Sequence, residues 1–171
     1  MKVFVKILFL IVAGGIIFAC DQGIDYEKLR RQELELLDEY INTNYPGAEP
    51  TASGLYYFEE IAGTGDTIKP GDRVQIFYAT WTLDSVLVDQ SNGYLEGHRY
   101  EPLEYVVGSG GTVKGLEEAS AYMQKGTKAH LVINSELAYG QQGNPPVPGF
   151  ATLLMEVEVY KVYPFEIPET E

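Results

Sequence analysis

Two histidines, one cysteine and 25 acidic residues are the groups with which this 171-residue chain could do conventional catalysis, and their arrangement excludes most of it. No cysteine accompanies His98 or His130, so a structural zinc site has no ligand set. His130 falls on an alternating strand and reads as a solvated side chain. No G-x-S-x-G turn, phosphate-binding loop or dinucleotide glycine pattern occurs in its proper context. The acids are spread out, and no pair announces general acid–base work. No metal and no cofactor are expected. What remains is an apolar pocket with a few polar tips. Tyrosine, present thirteen times, suits such walls, because a large apolar ring ends in a hydroxyl.

The stretch Thr112–Gly140 offers one such tip, a loop tyrosine, Tyr139, immediately before Gly140. Val113, Leu116, Ala119 and Met123 recur at helical spacing, which predicts a helix over 113–123. Gly126 then sits where a left-handed cap would end it. Beyond it the period becomes two, with Ala129, Leu131 and Ile133 on one face and Lys128 and His130 on the other. So short a helix is not stable alone and needs a sheet beneath it.

The remainder of the chain supplies strands. Leu55–Ile61, Arg73–Leu83, Val86–Asp89, Leu103–Val107 and Ala151–Val162 read as strands bounded by glycine, proline and aspartate turns. Arg73–Leu83 is apolar on both faces and should be central and covered. In the last strand Leu153, Met155, Val157 and Val159 should face inward, with Glu156 and Glu158 outward. Residues 91–101 read as a polar loop or bulge, from which Tyr94, His98, Arg99 or Tyr100 could reach the pocket. The long loop Asn134–Gly149, with Pro145, Pro146 and Pro148, is of a length usually tied to function. Ahead of the strands, Asp25–Asn44 reads as a helix with Asp25 as its N-cap and a stripe of Tyr26, Leu29, Leu36, Leu37, Tyr40 and Ile41 that packs on its own domain. Residues 164–171 read as a frayed acidic tail.

The formal charge of −13 argues against nucleic acid and against polybasic docking on anionic lipid. Residues 1–19 have a basic start, Lys2 and Lys6, an apolar run Ile7–Phe18 and a small-residue end, the pattern of a signal peptide. Ile17-Phe18-Ala19-Cys20 resembles a bacterial lipobox, which implies lipidation at Cys20. Removal of residues 1–19 takes two lysines and no acids with it, so −13 becomes −15. Two acyl chains on one cysteine suffice for stable anchoring. The expected organisation is a lipoprotein signal peptide over 1–19, a lipidated tether and N-terminal helix over 20–53, one domain over 54–163 and a tail over 164–171. The expected location is the bacterial cell envelope, lipid-anchored and facing the extracytoplasmic side, as a monomer.

Four blocks then occur in one order: I-A-G-T-G-D-T-I-K-P-G-D-R-V-Q-I-F-Y-A-T-W-T-L-D-S-V-L-V-D-Q-S, P-L-E-Y-V-V-G-S-G-G-T-V-K-G-L-E-E-A, S-E-L-A-Y-G-Q-Q-G and V-P-G-F-A-T-L-L-M-E-V-E-V. Together they resemble the FKBP-type peptidyl-prolyl cis-trans isomerases over about residues 54–162. The resemblance implies an α+β fold: a curved antiparallel β-sheet wrapped around one short α-helix, here with an extra N-terminal helix. It implies a pocket between sheet and helix in which Tyr78 and Asp89 pair at one end. By the same resemblance the Tyr139 hydroxyl faces a substrate carbonyl, and the backbone N–H at Val113 is offered to the bound peptide. Thr112, Val113 and Leu116 would line the pocket from the helix, and Val88, Leu103, Val147 and Met155 from its walls. Where that family favours aromatic rings, this chain has Leu116, Val88, Leu103 and Met155, which implies a wider and softer pocket. The implied activity is peptidyl-prolyl isomerisation assisting the folding of extracytoplasmic proteins, on proline-containing polypeptides. The alternative is a non-catalytic module that holds proline-containing or unfolded segments in the same groove.

Overall fold

In the computed structural model, residues 25–91 and 101–166 are described. The expected signal peptide, Cys20, and Tyr94, His98, Arg99 and Tyr100 of the segment expected as a polar loop or bulge lie outside the described residues, as does the end of the tail. Six strands build one antiparallel sheet: β1 (Tyr56–Ile61), β2 (Arg73–Thr82), β3 (Leu87–Gln90), β4 (Leu103–Val106), β5 (Lys128–Ile133) and β6 (Leu153–Tyr163). Their order is β1-β5-β6-β2-β3, and β4 also pairs with β2. β6 runs along the whole of one edge of β2. The other edge is shared: Arg73–Ile76 face β4, and Ala79–Trp81 face β3. β2 is therefore central, as its two-sided apolar pattern requires. Register shifts at Glu59/Ile61, Gln75/Ile76 and Thr80/Trp81 insert extra residues, and bulges of this kind bend a sheet.

Two helices cover the sheet, one on each face. α1 (Tyr26–Asn44) is rich in Glu, Leu, Lys and Arg, all good helix formers, and the Asp25 side chain accepts the Lys28 N–H at its start. Pro46 and left-handed Gly47 end it. α2 (Lys114–Ser120) lies on the inner face, where Leu116, Ala119 and Met123 join Leu131, Ile133, Met155 and Val157 in the main core. Gly115 permits that close approach: a Cβ there would stand 2.5 Å from Ile133 Cγ2. In β6, Leu153, Met155, Val157 and Val159 are buried and the glutamates between them are not.

Several expectations need correction. α2 is shorter than 113–123, because Val113 is its extended N-cap and Met123 enters the core from the turn beyond it. Gly126 does have φ +86°, but it lies in the turn leading into β5 and does not cap the helix. The α1 stripe splits. Leu37 and Ile41 pack on Tyr56 and Val132 of the outer face, whereas Tyr26, Leu29 and Leu36 are exposed. Val132 is thus buried opposite Leu131, so β5 is covered on both faces at its end. The tail is tied at its start, where the Phe165 N–H donates to Asp72 Oδ1.

Candidate functional site

A cavity of about 410 Å³ opens between the inner face of the sheet and the N-terminal end of α2. Tyr78 and Thr80 reach it from β2, being two residues apart on one face. Val88 and Asp89 are neighbours on β3, and regular pleating would send them to opposite faces. Thr80 pairs with Asp89 and Trp81 with Leu87, so Val88 is the extra residue of a bulge, and both side chains line the cavity. Leu103 closes the wall from β4, and Leu153 and Met155 from β6. Leu116, 2% exposed, forms the floor with Thr112 and Val113 beside it.

The outer lip is the connection between β5 and β6. It opens with a 3₁₀ turn, Ser135–Leu137, which Asn134 caps by accepting the Glu136 N–H. Tyr139 follows, 36% exposed. Asn144 and Val147 exchange two backbone hydrogen bonds and close a tight turn around a cis Pro145–Pro146 peptide. Gly143 is required there: at φ +68° a Cβ would meet Val147 O at 2.5 Å. The ten residues expected at the pocket, Tyr78, Val88, Asp89, Leu103, Thr112, Val113, Leu116, Tyr139, Val147 and Met155, all line this one cavity.

The polar groups are few and spaced. The Tyr78 hydroxyl donates to Asp89 Oδ2 at 2.8 Å, and Asp89 Oδ1 accepts the Gln90 N–H. Burial, then the hydrogen bond and charge of Asp89, with a smaller push from Tyr139, raise the Tyr78 pKa well above that of a free phenol. Tyr78 is therefore a neutral donor. Among the described residues the Tyr139 hydroxyl and the Val113 N–H have no hydrogen-bond partner. The second belongs to the free donors at a helix start. Buried Thr80 Oγ1 and Thr112 Oγ1 are also without partners among the described residues. Donors of this kind beside an aliphatic floor can hold a carbonyl oxygen. Among the described residues no group of His, Cys, Asp and Glu could hold a metal.

Sequence reasoning missed Thr80, Leu153 and the Asn144–Pro146 turn. Thr80 was recoverable, since it follows Tyr78 by two on one strand. It also missed Glu33, which lies on the same helix row as Leu37 and Ile41 and is buried. A glutamate inside an apolar row is the signal. Glu33 Oε1 accepts from the Ser135 N–H and Thr152 Oγ1, and Oε2 from Ser135 Oγ. Beside it a larger open groove, about 970 Å³, runs under α1 past Tyr26, Leu34 and Phe150. Its lining mixes both signs of charge, Arg30 and Arg31 with Glu27, Glu35 and Asp38, and it holds none of the residues expected at the pocket, so the smaller cavity is the better candidate.

Residues 65–160 match the family described as FKBP-type peptidyl-prolyl cis-trans isomerase. A probable FKBP-type peptidyl-prolyl cis-trans isomerase of Haemophilus influenzae is 37% identical over 141 residues, which cover 81% of this chain and 56% of that one. FkpA of Escherichia coli, an FKBP-type peptidyl-prolyl cis-trans isomerase, is 36% identical over 118 residues, 69% of this chain and 41% of that one. The chain thus spans about half the length of these curated relatives. The crystal structure of FkpA superposes with a TM-score of 0.68 at 31% identity, covering 82% of this chain and 62% of that one. A peptidyl-prolyl cis-trans isomerase from Pseudomonas syringae gives 0.66 at 26% identity, covering 81% and 96%.

Proposed function

Because the chain belongs to the FKBP-type peptidyl-prolyl cis-trans isomerases, we propose that it catalyses cis–trans isomerisation of Xaa-Pro bonds in polypeptides. The observation that carries this reading is a pair of donors without a partner among the described residues, the Tyr139 hydroxyl and the Val113 N–H, beside the aliphatic cavity floored by Leu116. Rotation about a peptide bond faces a barrier of about 18–20 kcal/mol, because the planar amide is resonance-stabilised. The twisted amide has lost that resonance, and its nitrogen and carbonyl behave more independently. A catalyst needs no proton transfer and no covalent step; it needs to bind the twisted form better than either planar form. An apolar chamber disfavours the charge-separated planar resonance form. Donors aimed at the carbonyl in its rotated position add preference for the transition state, and each tenfold in rate corresponds to about 1.4 kcal/mol. In this scheme Tyr139 and Val113 contact the substrate carbonyl, while Val88, Leu103, Leu116, Val147 and Met155 enclose the prolyl ring. The Tyr78–Asp89 pair fixes one end of the chamber, where the carboxylate is held by two donors.

Envelope localisation belongs to the same proposal. The basic start, apolar run and Ala19-Cys20 pattern support export and lipidation at Cys20, and among the described residues no helix is long and apolar enough to cross a membrane. The enzyme would then act as a monomer on unfolded or partly folded extracytoplasmic chains, without metal or cofactor.

A protease-free isomerisation assay on short Xaa-Pro peptides tests the catalytic reading. The expected result is a rate above buffer that falls in Tyr139→Phe combined with Asp89→Ala. A rate equal to buffer would move the assignment to the second reading, a non-catalytic holdase of proline-containing segments. That reading is favoured by one observation: apart from Tyr78 and Tyr139 the described lining residues include no aromatic side chain, so few rings are present to stack on proline.

A further inference from the structure

We propose that Glu33, on the appended helix α1, is a positioning residue for Tyr139, clasping both ends of the loop that carries it. The proposal rests on the isomerase reading above. Glu33 is 4% exposed, and a carboxylate that far from water persists only where charge and hydrogen bonds replace its hydration. Among the described residues these replacements come from two places. One is Arg30, its neighbour on α1, whose guanidinium pairs with Oε2 and extends to Glu136 Oε2 at 3.0 Å. The other is the β5–β6 loop itself. The Ser135 N–H donates to Oε1 at 2.6 Å, Ser135 Oγ to Oε2 at 2.6 Å, and Thr152 Oγ1 to Oε1 at 3.0 Å.

Ser135 is the second residue of that loop and Thr152 the last before β6, so one carboxylate holds both ends. The restraint reaches Tyr139 directly. The Ser135 carbonyl accepts the Ala138 N–H at 3.0 Å and the Gly140 N–H at 2.7 Å, the two residues that flank Tyr139. Gly140 in turn accepts the Phe150 N–H at 3.0 Å, which closes the loop on itself. Docking of α1 does not require any of this, because Leu37 and Ile41 already pack on Tyr56 and Val132. An apolar side chain at position 33 would serve helix docking; a carboxylate with three loop donors serves the loop. Glu33 touches no part of the cavity, so its effect passes through Ser135.

The test uses the full chain with Glu33→Gln and Glu33→Leu, each alone and combined with Tyr139→Phe. Turnover and KM on an Xaa-Pro peptide are measured well below the melting temperature, together with amide hydrogen exchange. Misplacing a donor that acts only in the transition state lowers kcat and leaves KM nearly unchanged, so Glu33→Leu should lose about tenfold in kcat with KM shifted less than about twofold. Glu33→Gln keeps one acceptor oxygen for the Ser135 N–H and Thr152 Oγ1, losing only the one that accepts from Ser135 Oγ and Arg30, and should lose less. In the Tyr139→Phe background Glu33→Leu should cost less than about twofold, since coupled residues are not additive. Exchange at the Ala138 and Gly140 amides should accelerate in Glu33→Leu. Independent, multiplying losses in the double variant, a loss carried by KM, or unchanged exchange at those amides would each overturn the proposal. Should Glu33→Leu fail to fold, Glu33→Gln and Thr152→Val, which removes one of the three donors, carry the same readouts. A parent protein without isomerase activity overturns the catalytic reading instead, and the clasp then stands or falls on the exchange data alone.

Discussion

The Tyr78 hydroxyl donates to Asp89 Oδ2 at 2.8 Å, joining the central strand to the bulged edge strand at one end of the cavity. A hydrogen bond to a carboxylate contributes about 1.5–3 kcal/mol when sheltered, and less here because Asp89 is partly exposed to solvent. Asp89→Ala removes the acceptor and leaves the phenol free to swing. We expect it to lower kcat/KM about tenfold, equivalent to about 1.4 kcal/mol. Asp89→Asn, whose amide oxygen still accepts from Tyr78, should lose less. Equal losses in the two variants would show that charge, not the bond, is what matters there.

Among the described tyrosines with raised pKa values, the three with the largest shifts dominate a high-pH limit on stability. Burial, followed by Asp89, raises Tyr78; burial also pushes Tyr105 up to about 12 despite its Ser120 hydrogen bond; burial and then Glu59 push Tyr57 up to about 12. Each has a native pKa above its unfolded value of 10.0. The unfolded chain therefore gives up these protons first as pH rises, and stability falls with pH above that value. Below pH 10 these groups contribute their full share, and it is lost progressively as pH climbs toward and past their native pKa values. Denaturant titrations should give a flat midpoint below pH 10 from these groups and a decline above it. Tyr105→Phe should make the decline shallower; an unchanged slope would contradict the assignment.

Gly115→Ala should destabilise the fold although alanine is the better helix former by about 1 kcal/mol. The new methyl would sit 2.5 Å from Ile133 Cγ2, and overpacking of a core contact costs about 1–3 kcal/mol. Ile133→Val keeps that methyl and should not restore stability. A thermal melt decides the matter: an unchanged or raised Tm for Gly115→Ala would mean that α2 can lift off the sheet freely.

Cys20→Ser should release the protein from membranes into the soluble extracytoplasmic fraction without changing peptide turnover. Fractionation with and without the substitution checks the first half, and the isomerisation assay the second. Retention of the serine variant on membranes would end the lipidation proposal.

How far the sequence speaks depends on whether a pattern is local. Strand alternation in β6 and the two-sided apolar run of β2 are local, and both were legible. Asp25 as the N-cap of α1 was legible because capping depends on one side chain and the backbone three residues on. The joint placement of Val88 and Asp89 was not, since it depends on a bulge whose register is fixed by Thr80 and Trp81 on the partner strand. Val132 could not be recognised as doubly covered until α1 was laid on the outer face. Glu33 was the largest omission. Its partners lie 102 and 119 positions away, and only its place in the Leu37–Ile41 row hinted that it turned inward.

The cover that α1 provides also fixes how small a portable unit can be. A fragment cut at Gly54, where the strands begin, would keep every cavity residue yet uncover Tyr56, Phe58, Val132 and Leu154, the apolar patch that α1 and Tyr45 shield. It would also sever the carboxylate anchor of the loop. Such a fragment would be a sticky sheet with an untethered lip, so transplanting the pocket onto another protein calls for a graft that starts no later than Asp25.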